Sequence, residues 1–169
     1  YYPATRVSHA VETLLKNPTA LCAGSSEIYI YFKHIKQMYQ FGPYKDTHST
    51  AGTFAFRRQL LSITSYEDTA AIAEEKHFLK NYTIPFVQLD SLKTILVFSH
   101  IHNTFDKRRL LDQPSTPFSK ESDKTIDMFI KEPDLYEFYV NSIEKVLKDY
   151  IPGRPNMKPD VLTQMVAIE

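Results

Sequence analysis

Ile28-Tyr29-Ile30-Tyr31-Phe32-Lys33-His34-Ile35-Lys36-Gln37-Met38-Tyr39 holds two short runs rich in β-branched and aromatic residues, joined at Lys33-His34. That pattern predicts a β-hairpin. Just before it, Ala20-Leu21-Cys22-Ala23-Gly24 predicts a short buried strand. Further upstream, Val7, Ala10, Val11, Leu14 and Leu15 recur at i, i+3, i+4, i+7 and i+8, the apolar face of a helix that Pro3 opens and Asn17-Pro18 ends. After the hairpin, Phe41-Gly42-Pro43-Tyr44 is a turn, and His48 to Gly52 is a small-residue loop feeding Thr53-Phe54-Ala55-Phe56 and Arg57-Arg58. A helix is predicted over 67–82, and strands over 84–87 and 95–99. The expected fold is mixed α/β, with the strands around Leu21, Phe54 and Val97 in one sheet and the helix carrying Glu75 packed on it.

Two units are expected, 1–112 and 113–169. Gln113-Pro114-Ser115-Thr116-Pro117 forms the turn or linker between them. A helix from Pro133 to Tyr150 follows, on which Leu135, Phe138, Tyr139, Ser142, Ile143, Val146, Leu147 and Tyr150 share a face that docks on the body or on a partner. Pro152, Pro155 and Pro159 make the approach to the last segment irregular.

The 169 residues carry 20 Lys and Arg against 20 Asp and Glu, so there is no general attraction to nucleic acid or anionic membrane, and an anionic partner needs a local site. The 11 Tyr and 11 Phe follow strand and helix faces, which argues against nucleic-acid stacking platforms. The single Cys22 excludes an internal disulfide framework and any multi-cysteine metal site. With no apolar run near the roughly 20 residues of a membrane helix and no signal peptide, a soluble protein in the reducing cytoplasm is expected. Tyr1 in place of Met, so close to a patterned helix, suggests a piece of a longer polypeptide.

Three stretches could carry chemistry. In Ala70-Ala71-Ile72-Ala73-Glu74-Glu75-Lys76-His77-Phe78-Leu79, helical spacing sets Glu75 amid Ala71, Ile72, Phe78 and Leu79. Desolvation there raises a carboxyl's proton affinity and suits it to act as a general base; the plainer alternative is a solvated acid pair bonded to Lys76 or Lys80. Ser99-His100-Ile101-His102 places both imidazoles on one side of a strand end, either for a metal or phosphate or as loop caps. Lys107-Arg108-Arg109 then adds positive charge, for phosphate or as a solvated basic turn. In the loop from His48 to Thr53, small residues allow close backbone approach, and hydroxyls with His48 can hydrogen-bond a sugar or phosphate.

Taken in order from about Tyr1 to Leu111, these pieces resemble the second half of a GT-A-type glycosyltransferase, similar to glycosyltransferase family 2. The resemblance is carried by Tyr2-Pro3-Ala4-Thr5-Arg6-Val7 opening a helix, Thr50-Ala51-Gly52-Thr53-Phe54-Ala55-Phe56-Arg57-Arg58, the aromatic-acid turn Tyr66-Glu67-Asp68, and the acidic pair Glu74-Glu75. It implies a GT-A-like mixed sheet flanked by helices, truncated at its N-terminus because the donor-binding half is absent, with a helical C-terminal extension. It also implies transfer of a sugar from a nucleotide-sugar donor to the hydroxyl of a glycan or other acceptor, assisted by Mn²⁺ or Mg²⁺. Glu75 then matches the catalytic base and Glu74 its partner. His100 or His102 falls where some such enzymes place a metal ligand, Lys107 and Arg108 lie near the diphosphate, and Gly52 and Thr53 border the sugar pocket. With no Trp, the processive Gln-x-x-Arg-Trp motif is missing, so a non-processive enzyme is expected, inactive as this chain alone. The competing expectations are a non-catalytic interaction or structural protein that keeps a transferase-like half-fold, and a metal-dependent hydrolase using His100, His102 and Glu75.

Overall fold

The structure, a computed structural model, describes residues 1–104, 106–112, 117–151, 154 and 157–168. The chain is mixed α/β, with two mixed sheets and a few helices. In the first sheet, β1 (Cys22–Gly24) runs antiparallel to β4 (Ala55–Phe56) and parallel to β5 (Phe86–Gln88). In the second, the order is β6 (Leu96–Ser99), β2 (Ile28–Phe32), β3 (Gln37–Phe41), β7 (Ser119–Glu121). The predicted hairpin is present, with Ile28 opposite Phe41 and Phe32 opposite Gln37. Its second strand starts two residues later than expected, because Lys33 to Lys36 form a wider turn in which Lys36 takes a positive φ of 55°.

The strand at Val97 does not join the strands at Leu21 and Phe54; it pairs in parallel with β2, Ile30 opposite Val97. Side chains make that division. Between β1 and β2, the Ser25 amide donates to Thr53 Oγ1 (2.8 Å) and the Ser26 amide donates to Gln88 Oε1 (2.9 Å), in place of ladder partners. The chain thus leaves one sheet and enters the other within three residues.

Helix α1 (Arg6–Lys16) buries Ala10 and Leu14 against Ala20, Ala23 and Leu89, but Val7, Val11 and Leu15 are exposed, since the narrow first sheet covers only part of the helix's apolar face. Arg57 closes the far end of α1 by donating to Ala20 O and Leu14 O. Helix α2 (Glu74–Phe78) is far shorter than the predicted 67–82. Its N-terminal side is held open by a tertiary contact: Gln164 accepts from the Ala71 amide (2.8 Å) and donates to Thr69 O (2.7 Å), taking backbone groups that a helix would pair. Its C-terminal side ends in a Schellman motif, with Asn81 N bonded to Lys76 O (2.8 Å), Lys80 N to His77 O (2.9 Å), and Lys80 in the left-handed conformation normally given to glycine.

Residues beyond 112 contribute to the body. β7 pairs with β3, and Ile126, Phe129 and Ile130 pack with Tyr29, Met38, Leu96 and Phe98. The helix expected over 133–150 is α3 (Pro133–Glu137), a π-helical turn (Phe138–Ser142) and α4 (Ile143–Leu147). Lys33 Nζ donates to Tyr139 O (3.1 Å) and Val140 O (2.6 Å), satisfying carbonyls at the widened turn. This segment packs back on the body through Tyr139, which stacks on Phe98 at 5.0 Å, while Val146 and Tyr150 stay exposed. The last helix is α5 (Pro159–Ile168). The expected linker at 113–116, and Pro152 and Pro155, lie outside the described residues. Among the described residues no helix is long and apolar enough to cross a membrane.

Candidate functional site

Of the apolar neighbours expected around Glu75, Phe78 and Leu79 lie with it on or just past α2, whereas Ala71 and Ile72 precede the helix and are outside it. Phe78 and Leu79 on the same side of α2 are fully buried with Cys22, Leu60 and Ile84, and Tyr66 stacks on Phe78 at 4.3 Å. Glu75 is half-buried beside them. Burial pushes its carboxyl up, and the neighbouring charge of Glu74 adds to the effect against an opposing backbone hydrogen bond. Among the described residues, neither Glu74 nor Glu75 forms an ion pair with Lys76 or Lys80; the contact in this region sets His77 Nδ1 3.8 Å from the Glu67 carboxylate, between exposed side chains.

Three successive left-handed residues, Lys80, Asn81 and Tyr82, turn the chain back after α2. They set the Tyr82 ring 5.3 Å from that of His48, which in turn lies 4.9 Å from Tyr44. Burial, and after it the Glu75 charge, pushes the Tyr82 hydroxyl up. Burial pushes the His48 imidazole down, leaving it neutral at pH 7, with Nδ1 enclosed and unpartnered. Tyr82 and Tyr44 carried no sequence signal, because their role depends on a left-handed turn and a loop packing.

The rest of the small-residue loop divides. Thr53 is completely buried, and its hydroxyl bonds Thr50 O (2.7 Å), the Ser25 amide (2.8 Å) and Ser49 Oγ (2.8 Å). It is a structural pin, closed to a ligand. Gly52 is exposed on a different groove of about 480 Å³, beside Tyr2, Arg6 and Val7.

The histidines lie past the end of β6, in a turn. The His102 amide donates to His100 Nδ1 (3.1 Å), and the His100 amide donates to Asn103 Oδ1 (2.9 Å), so His100 is tied into its own loop. Its imidazole is pushed down to about 4 by burial and then by His102, Lys107, Lys33 and Lys158. The Lys107 ammonium is pushed down to about 8 by burial and by Lys158. Arg108 is exposed and forked onto Asp106 at 2.6–3.1 Å. A cavity of about 480 Å³ lies here, walled by Lys33, His34, Ser99, His100, Arg108 and Glu144, at the carboxyl ends of the parallel strands β2 and β6. Glu75 is not among its described lining residues, so the expected shared cavity is not formed.

The fit of Mn²⁺ or Mg²⁺ is poor. His102 Nδ1 is enclosed and unpartnered, but among the described residues no three His, Cys, Asp or Glu groups converge, and the neighbours are three ammonium groups. Hard divalent cations need oxygen ligands, whereas converging lysines suit an anion.

No known protein family, curated protein or solved structure matches the chain. The loop before α2 and the basic turn at His100 are joined by α5. At the start of that helix Lys158 Nζ donates to Asn103 O (3.3 Å), and six residues on, about 9 Å along a helix axis, Gln164 holds Thr69 and Ala71. The loop before α2 and the basic turn after β6 thus meet on one helix. Lys33, Lys158 and Gln164 were not legible as site residues, since each reaches its place from a distant turn or from the last helix.

Proposed function

We propose that this chain supplies the acceptor-activating part of a glycosyltransferase, moving a sugar from a nucleotide-sugar donor to an acceptor hydroxyl. The observation that carries this is Glu75: a half-buried carboxyl, free of ion pairs with Lys76 and Lys80, whose proton affinity is raised by desolvation. Such a group takes a proton more readily than a solvated acid does. The acceptor oxygen gives its proton to Glu75 as it bonds to the anomeric carbon, and the bond from that carbon to the donor's diphosphate breaks. The bonding pair leaves with the nucleoside diphosphate, whose charge the donor-binding half takes up. No step is assigned to a metal, because the residues present do not fit one. The order of motifs from Tyr1 to Leu111 supports the same assignment.

In a chain joined to a donor-binding half, Glu75→Gln lowers turnover by about 10² to 10⁴ with donor affinity kept, the scale for losing acid–base catalysis. Near-normal turnover would refute the assignment.

A further inference from the structure

The ring series Tyr82, His48, Tyr44 continues to Phe118, which stacks near-parallel on Tyr44 with centroids 5.6 Å apart and planes 20° apart. Tyr44 is 44% exposed and Phe118 48%. The step is firmly held. Gly42 N donates to Phe118 O (2.8 Å), extending the pairing of β3 and β7, and a Cβ at Gly42 would lie 2.1 Å from Ser26 O, so the chain enters the loop through a position only glycine fits. Beyond it, Gln88 Nε2 donates to Asp46 O (2.7 Å) and His48 O (2.9 Å), pinning the loop that carries Tyr44.

We propose that Tyr44 and Phe118 form a binding ledge for a pyranose ring of a glycan, at the outer end of the ring series Tyr82, His48, Tyr44. The ledge rests on the transferase assignment for its role as an acceptor footing, though not for binding itself. Aromatic faces attract the C–H face of a sugar ring, whose hydroxyl edge then needs neutral donors and acceptors. The Tyr44 hydroxyl supplies these, and burial keeps it protonated. The local charges alternate in sign, Lys45 with Asp46 and Lys120 with Glu121, whereas the converging cations lie at Lys33, Lys107 and Lys158. A nucleotide would require phosphate partners at the ledge; an uncharged glycan does not.

The test is NMR of the full 169-residue chain, following the Tyr44 and Phe118 ring resonances while titrating methyl β-D-galactopyranoside and methyl α-D-mannopyranoside. At least one glycoside should shift both rings saturably. Tyr44→Ala and Phe118→Ala should weaken it by about three- to tenfold, the fold-change of one lost aromatic contact. Tyr44→Trp and Glu75→Gln should retain it, and Tyr44→Leu replaces Tyr44→Ala should the latter unfold by circular dichroism. The ledge is overturned if neither glycoside moves these resonances, if folded ring-deleted variants bind as wild type does, or if uridine moves Tyr44 more than both glycosides. Glycoside binding without sugar transfer in the joined chain would leave the ledge standing and end the transferase assignment. Transfer with an acceptor KM indifferent to Tyr44→Ala would do the reverse.

Discussion

Gly24→Ala tests how the small-residue loop is held. A Cβ at Gly24 would lie 2.2 Å from Ser49 Oγ, 3.0 Å from Thr53 Oγ1 and 3.1 Å from Phe54 Cδ1, and all four residues meet at the end of β1. Ser49 must move. It is fully buried and shares a hydrogen bond with Thr53 Oγ1 (2.8 Å), with Ser25 O the alternative acceptor for its one proton (3.1 Å). Losing the buried Ser49 hydrogen bond costs about 1 kcal/mol, and forcing a methyl into a packed site costs about 1–3 kcal/mol. A destabilisation of about 3 kcal/mol is expected, read from urea midpoints with an unchanged slope. Ser49→Ala alone should cost about 1 kcal/mol. Because it removes the atom the new methyl strikes, the double variant should recover at least ~1 kcal/mol relative to the sum of the single changes. Thr53 and Phe54 remain close, so recovery stays incomplete. A Gly24→Ala cost below about 0.5 kcal/mol, or strict additivity with Ser49→Ala, would refute this packing and the pinning of Thr53 with it.

Because the native fold binds the Glu75 proton more tightly than the unfolded chain does, Glu75 contributes most below the ordinary value of 4.5, and that contribution is lost as pH rises through the native titration. Glu75→Gln should therefore gain stability over wild type between about pH 4 and pH 7, measured by urea unfolding at both; an equal offset at the two would deny that burial raises this carboxyl. His100 has the opposite sign. Its native value of about 4 lies below the ordinary 6.5, so its contribution is complete above 6.5 and is lost as pH falls through the native value, amounting to no more than ~3 kcal/mol. Its ring should titrate near 4 by NMR, and His100→Gln should flatten the acid limb of the stability curve. Lys158→Met should raise the Lys107 ammonium above about 8, read from its ¹³Cε shift; an unchanged value would separate the two lysines.

Local pattern alone determined the elements whose hydrogen bonds and packing partners lie nearby in the chain. The hairpin of β2 and β3, strand β1 and helix α1 follow from β-rich runs and helical spacing, as does the place of Glu75, three residues from Phe78 and four from Leu79. Tertiary structure decided what depends on distant groups. The strand at Val97 pairs with β2 because Thr53 and Gln88 take the Ser25 and Ser26 amides between the sheets, a choice no strand pattern encodes. Gln164 shortens α2, and Lys33 stabilises the π-helical turn, by bonding backbone groups 93 to 107 residues away. The three-residue β7 is too short and too polar to stand out as a strand, and exists because β3 offers it an edge. The site divides in the same way: the spacing of Glu75 from Phe78 and Leu79 belongs to its own short segment, whereas the burial that raises its proton affinity, and Tyr82 beside His48, arise only once the chain has folded. Hydrogen bonds and charges act through space, and sequence spacing records only the neighbours along one element.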